Sequence, residues 1–444
     1  MSATPSVTQH LQRIALHNEV HARPPEAMTA PLVISHMVML CNAQERQASR
    51  VHVAALLRDR HLPLPDEHTT HLRLDVGPFR LRWEMHTEFV TWSFLRTLDE
   101  GVDAGGGGQE PLTAVHVVPQ NWLAALPGQC LASVHLWALP LPAGGPADAM
   151  SDAPAALRMR QLLQDDTLVA SSVADGHGQV LTDFAIAPDG FSRIVLLTAG
   201  LSPRRLGRLV QQLLEIDTYR MAALLGLPAA REAAQVLAYA ERELAELADA
   251  IRNASRNEEP QLLDRLTKLA GQVESQYATT HARFSASAAY FELVDKRIGD
   301  IAESRLRGLQ TIGEFMDRRL TPARSTCAWA TRRQDALSQR VSRMSNLLRT
   351  RVEIEQQQSS QALLGAMNHR QGLQLKLQST VEGLSVAAIT YYITGLIAYL
   401  SKGAQKVGWP LSPEVTAAIA IPVVAFSVWW SLRRLHHRLF GDKH

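Results

Sequence analysis

The sequence predicts an α+β domain, then a long α-helical stalk, then a C-terminal two-helix transmembrane hairpin. Three observations carry that expectation. Short apolar runs bounded by turn residues fill roughly the first 200 positions. Helical periodicity replaces them after Ser202. Two uncharged stretches follow, at residues 384–400 and 415–432. The expected boundaries are a cytosolic α+β domain at 1–200, a coiled-coil-like stalk at 201–380, the hairpin at 381–432 and a basic cytosolic tail at 433–444.

Each uncharged stretch is about the minimum length that crosses a hydrocarbon core as a helix. Tyr391, Tyr392, Tyr399, Trp429 and Trp430 include candidates for aromatic belts at the membrane surfaces. The polar turn between the stretches holds Lys402, Lys406, Gly408, Pro410 and Pro413. The alternative is a buried hairpin of a soluble protein, and two such runs with basic flanks argue against it. Arg370 and Lys376 precede the first stretch, and Arg433, Arg434, Arg438 and Lys443 follow the second. By the positive-inside tendency both termini are then cytoplasmic, in a multi-pass protein of the inner membrane whose first partner is the lipid bilayer. The first twelve residues lack the apolar core of a signal peptide, which agrees. Forty-five Lys and Arg against 43 Asp and Glu leave no concentrated basic face for nucleic acid. Three widely spaced cysteines, Cys41, Cys130 and Cys327, form no metal-ligand pair and suit a reducing compartment.

In chain order, residues 7–16 read as a short helix that Pro24 and Pro25 terminate. Residues 31–40 (Leu32, Val33, Ile34, Val38, Met39) read as a buried strand, and 44–58 as a helix through Ala48, Val51 and Ala55. Residues 71–75 and 79–94 read as strands joined through Gly77-Pro78. In the second, Trp83, Met85 and Phe89 take one face, and Glu84, His86 and Glu88 the other. Residues 103–109 form a glycine-rich loop with no phosphate-loop signature after it. A strand and a short helix are expected at 115–126, a strand at 132–139 and a linker at 140–154. Strands at 168–174, 179–187 and 191–198 are separated by Asp175-Gly176 and Asp189-Gly190 hairpin signals. Asp175, Asp183 and Asp189 suggest a cation site, and turn chemistry explains the first and third.

From Ser202 the strand signals stop. Ser202-Pro203 suits a helix start, and Gly226 with Pro228 breaks that helix. Further helices are expected at 229–256 and 260–320, the latter ended by Thr321-Pro322. From Ala323 the helix carries Leu337, Val341, Met344 and Leu348 at alternating four- and three-residue spacing, a coiled-coil-like seam. It turns glutamine-rich and runs into the first apolar stretch without a breaker.

The polar residues that invite a functional reading are His17, Glu19, His21 and Arg23, together with Glu84, His86 and Glu88. On an extended chain the first four share one face; on a helix His17 and His21 pair one turn apart and Glu19 points away. The spacing is not that of a zinc protease. A divalent cation held here, acid–base chemistry and a purely structural hydrogen-bonded cluster all remain open. A second candidate is the small and hydroxylated stripe Gly383, Ala387, Thr390, Thr394 and Ala398. It fits either the core of a homo-oligomeric bundle or pairing of the two spans within one hairpin. No acidic residue lies inside either span, which disfavours proton-relay transport.

The stretches Leu16-His17-Asn18-Glu19-Val20-His21-Ala22-Arg23-Pro24, Glu84-Met85-His86-Thr87-Glu88-Phe89, Arg318-Arg319-Leu320-Thr321-Pro322, Asn346-Leu347-Leu348-Arg349-Thr350-Arg351-Val352 and Thr380-Val381-Glu382-Gly383-Leu384-Ser385-Val386-Ala387-Ala388-Ile389 together resemble a bacterial family of membrane-anchored proteins of unknown function, sometimes labelled egg-lysin-like. The resemblance implies membrane anchoring and no established activity. The layout is also similar to that of CorA-type magnesium transporters, which implies an oligomeric channel. Those carry Gly-Met-Asn at the outer end of the first span, where this chain has Leu400-Ser401-Lys402-Gly403, and a lysine at a pore mouth repels cations. The functions in view are an oligomeric channel or transporter, a membrane-anchored scaffold, and a metal-dependent enzyme built on the His/Glu motifs.

Overall fold

A computed structural model describes residues 9–14, 16–17, 25–98, 112–141, 162–255, 258–405, 408 and 410–440. The chain divides into two compact units. One comprises Met1–Asn253 with Asp264–Met344, and the other Ala254–Leu263 with Ser345–His444. The N-terminal domain is a mixed sheet, and the chain ends in two helices long and apolar enough to cross a membrane.

The sheet of the first unit is organised around β1 (Leu32–Leu40). The other strands are β2 (His71–Asp75), β3 (Arg80–Met85), β4 (Phe89–Thr97), β5 (Gln129–Pro140), β6 (Val169–Val173), β7 (Gly178–Thr182), β8 (Ser192–Thr198) and β9 (Ser304–Arg305). They lie in the order β2-β3-β4-β1-β5-β8-β7-β6-β9. Every pairing is antiparallel except β5 with β8. β1 has a neighbour on each edge and a core against each face, which explains its nearly unbroken apolar run. Val33 enters one cluster with Trp83, Trp92, Phe94 and Trp137, packed with α1 (Ala43–Asp59). Ile34 enters the other with Val134, Leu136, Leu209 and Leu213. The second cluster is covered by α3 (Pro203–Leu224), while α2 (Gln120–Ala124) is a short turn of helix before β5. Asn42 opens α1 with a capping box, exchanging hydrogen bonds with Glu45.

Several expected elements are corrected. Residues 79–94 are two strands, because His86 N–H closes a turn on the Phe89 carbonyl at 2.8 Å. Residues 114–117 form a 3-10 turn where a strand was expected. β7 ends at Thr182, since Asp183 turns its carboxylate onto the N–H groups of Gln164 and Ala185. Ser202 sits at the N-cap of α3 without a side-chain cap bond, leaving Pro203 as the start signal. Strand structure also returns after Ser202. α5 (Glu259–Asp300) stops well before Thr321, and the chain turns through Ala302 into β9 and leaves it through Gly308, both at positive φ. Helix then resumes as α6 (Ile312–Gln405), with Pro322 inside it. Burial of Met316, Leu320 and Ala323 on either side of the proline holds the helix across it. The glycine-rich loop and residues 142–154 of the expected linker lie outside the described set, while Pro140, expected in that linker, ends β5.

α4 (Gly226–Asn253), α5 and α6 pack as a bundle in the first unit. Gly226 is required there, because a Cβ would meet Ser287 Oγ at 2.6 Å. Arg324 donates to the Phe291 carbonyl at 3.0 Å and Gln334 to Thr280 Oγ1 at 3.1 Å, so α5 and α6 run antiparallel. In the second unit Arg351 pairs with the buried Glu259 at 2.6 Å, and α7 (Pro413–Phe440) follows α6.

Glu303 fastens α6 to the sheet. Its carboxylate accepts the Ile312 and Gly313 N–H groups at 3.0 and 2.8 Å and the β6 Ser171 hydroxyl at 2.7 Å. Open N–H groups and the helix dipole both favour a carboxylate at that end. Glu303→Ala is expected to cost about 1–2 kcal/mol, read as a lower urea midpoint by tryptophan fluorescence. An unchanged midpoint would show that the cap does not hold the helix start.

Candidate functional site

The densest polar cluster in the sheet is a consequence of register. His36, Ser93, Arg82 and Arg73 are direct cross-strand neighbours on β1, β4, β3 and β2. Thr91, Glu84 and His71 form the adjacent row. Residues that alternate along one strand share a face with their partners across the sheet, so sixty residues of sequence converge on one patch. Gln211, Leu214, Glu215, Thr218 and Tyr219 of α3 cover it at one-turn spacing, and with His36, Arg82, Glu84, Thr91 and Ser93 they line a cavity of about 40 Å³.

The patch is bonded internally. Arg82 donates to both Glu84 oxygens at 2.9 and 3.0 Å, and Arg73 lies 3.7 Å from the same carboxylate. Burial pushes the Glu84 carboxyl up, and the Arg82 guanidinium with its hydrogen bonds, helped by His86 and Arg73, outweighs burial and holds it below its ordinary range. His36 lies 2.8 Å from Ser93 Oγ through Nδ1 and 3.2 Å from Thr218 Oγ1 through Nε2. Thr218 spends its own proton on the Leu214 carbonyl, so its oxygen accepts from Nε2–H, and Nδ1 accepts from Ser93. Burial, with Arg82 nearby, lowers the His36 pKa to about 3, so the ring is neutral.

The sequence candidates distribute unevenly over this geometry. Glu84 and His86 both line the cavity, and so does Phe89, whose ring is tilted against His86 at 4.5 Å; Phe89 therefore lies on their face and not, as expected, on that of Trp83, because the turn shifts the alternation by one residue. Glu88 sits at the turn and faces α5 instead. It accepts from Arg283 at 2.5 Å and from the Tyr290 hydroxyl at 3.1 Å. Burial and the Glu88 charge raise the Tyr290 phenol. Glu84 is thus bonded within the sheet and Glu88 to α5, and the two carboxylates are not brought together. His17 is exposed, and Glu19, His21 and Arg23 lie outside the described residues. No group of three His, Cys, Asp or Glu suited to a metal ion occurs among the described residues.

One constellation escaped the sequence. On the opposite sheet face Ser35 Oγ lies 2.8 Å from His135 Nδ1, and Asp189 lies 3.7 Å from His135 Nε2. Ser, His and Asp in this order suggest an activated nucleophile. Ser35 is fully buried, its oxygen also accepts from Val115 N–H, and Phe191 stacks on the imidazole at 3.9 Å. No substrate carbonyl reaches that hydroxyl. Burial lowers the His135 pKa to about 4, against the pull of Asp189.

In the second unit Ala387, Thr390, Thr394 and Ala398 line a cleft of about 700 Å³ that Ala417 and Ile421 of α7 also line. Thr390 and Thr394 are buried. A Cβ on Gly383 would meet nothing within 4 Å.

Two outcomes follow from the buried groups. Arg82→Met is expected to destabilise by roughly 3–5 kcal/mol, because Glu84 is left charged and buried, while adding Glu84→Leu restores most of the loss. Equal cost for the single and double variants, in denaturant titrations, would contradict this. His36 and His135 titrate below the ordinary 6.5 in the fold, so the unfolded chain binds more protons between that value and about 3–4. Their stabilising contribution is complete above pH 6.5 and falls with pH, by roughly 2 kcal/mol each at pH 5. A His135→Gln variant is expected to show a shallower fall in unfolding midpoint between pH 7 and 5, and an unchanged slope would remove His135 from the account.

The family described as Protein of unknown function (DUF3422) matches residues 8–439. No curated protein and no solved structure matches the chain. The match covers nearly the whole chain, including the stretches whose resemblance pointed to an uncharacterised family. The chain belongs to the DUF3422 family.

Proposed function

We propose that this is an integral membrane protein whose two C-terminal helices anchor a mixed-sheet domain at the cytoplasmic face of the membrane, where that domain acts as a scaffold for other molecules. The reading rests above all on the pair of apolar helices, joined by a short polar turn and flanked outside by basic residues. An enzyme reading draws no support from the polar patch. A cavity of about 40 Å³ has room for a water molecule, and substrate sites span about 300–1,000 Å³. A channel needs polar groups on faces that neighbouring subunits turn to a common axis. Thr390 and Thr394 are instead buried beside a cleft that α7 helps to line, which favours anchoring over conduction.

Reporter fusions at the N-terminus, at the C-terminus and at Gly408 test the topology. Both ends are expected to report the cytoplasm and Gly408 the opposite side, with the chain resisting carbonate extraction. Release by carbonate, or ends on opposite sides, would sink the anchor.

A further inference from the structure

The bundle of the long helices ends before α6 does. α4 stops at Asn253 and α5 begins at Glu259, whose carboxylate is paired to Arg351 of α6. Up to that level the seam of α6 is occupied: Leu337, Val341 and Leu348 are buried, as are Leu262, Leu266 and Leu269 of α5. Beyond it every residue of α6 from 356 to 381 is exposed, yet the helix continues into the apolar span.

This segment is poorly made to stand alone. It contains Gly365, Gly372, Asn368, Ser359 and Ser360, all weak helix formers, and a lone helix gains little from hydrogen bonds without a packed face. It also retains such a face. After one skipped position below Leu348, Val352 leads to Leu363, Ala366, Arg370, Leu373, Leu377, Thr380 and Leu384. From Leu363 onward these alternate at three- and four-residue intervals. The leucines at 363, 373, 377 and 384 are 54–74 % exposed. The seam that packs inside the chain thus outruns its partner helix.

We propose that residues 352–384 of α6 pair with the same residues of a second copy as a parallel, in-register coiled coil. This rests on the anchored reading above. Copies held by the same span in one membrane present this stretch at the same height and in the same direction, so the seam of each copy lies level with the identical seam of the next. Leucines and Ala366 then fill the shared core as knobs in holes. Gln356, Ser359 and Thr380 add uncharged polar positions to the seam, and its one charged residue is Arg370. It places a guanidinium on the seam opposite its own copy, and limits the strength of the pairing while fixing its register.

Single-cysteine substitutions in the full chain, oxidised with copper–phenanthroline in native membranes, test this against the parent carrying only its natural cysteines. Leu363→Cys and Leu377→Cys are expected to give covalent dimers, and Gln361→Cys and Asn368→Cys, on the far side of the helix, to stay at the parent level. Membrane-retained protein with no seam dimers, or with equal dimers on both faces, overturns the pairing and leaves the anchor standing. Protein released by carbonate fails the anchor itself and removes the common height on which the pairing depends. Arg370→Leu is expected to strengthen association, so that oligomer survives about tenfold greater dilution in detergent. Unchanged or weaker association takes Arg370 off the seam and overturns the register.

Discussion

A carboxylate and a guanidinium taken out of water must satisfy each other, and Arg82 and Glu84 do so two residues apart on one strand. Much of the N-terminal domain is arranged to make that possible. The strands on either side supply Arg73, Ser93 and Thr91 in register, and α3 closes over them with Thr218 keyed to His36. Such a pair adds little net stability over an apolar core, but any slip of a strand or of α3 strands a charge. Register is thereby specified by paired charge as well as by the alternation of Leu81, Trp83 and Met85 with Arg82 and Glu84. His36 belongs to the same logic: an imidazole held neutral by burial bonds two hydroxyls and fixes how α3 lies along the sheet.

What was legible in the sequence was whatever depends on near neighbours. β1 declared itself through Leu32, Val33, Ile34 and Val38, and Asp175-Gly176 and Asp189-Gly190 made turns, with both glycines at positive φ. The two apolar helices were legible from composition alone. The hairpin between β3 and β4 was hidden because no glycine marks its turn; the only trace is a change of phase, from Trp83 and Met85 to Val90, Trp92 and Phe94. β9 was hidden by its length: two residues carry no period, and only Gly299 and Gly308 hinted at a break. Pro322 misled in the opposite sense, since burial of the residues around it outweighs its intrinsic preference.

The candidate site was legible only in part for the same reason. Glu84 and His86 stood out as polar residues in an apolar setting, but their partners His36, Ser93, Gln211 and Thr218 come from three other elements. Ser35 with His135 illustrates the converse hazard. Ser35 and His135 met by register in a closed core, where their mutual hydrogen bond accounts for them, with Asp189 at the exposed rim. Type and spacing identify groups able to do chemistry, and accessibility decides whether they do.

The tie between Ser171, Glu303 and the start of α6 also sets a timetable for synthesis. β6 emerges from the ribosome early, but its outer partner β9 and the carboxylate that fastens α6 follow more than a hundred residues later. Until then β6 is an uncovered edge, with open peptide groups that invite pairing with other chains. The edge is closed only shortly before the apolar residues of α6 are made. A nascent chain whose first long apolar stretch has just been made has therefore already gained the means to complete its sheet, and a chain stalled between residues 200 and 300 has not.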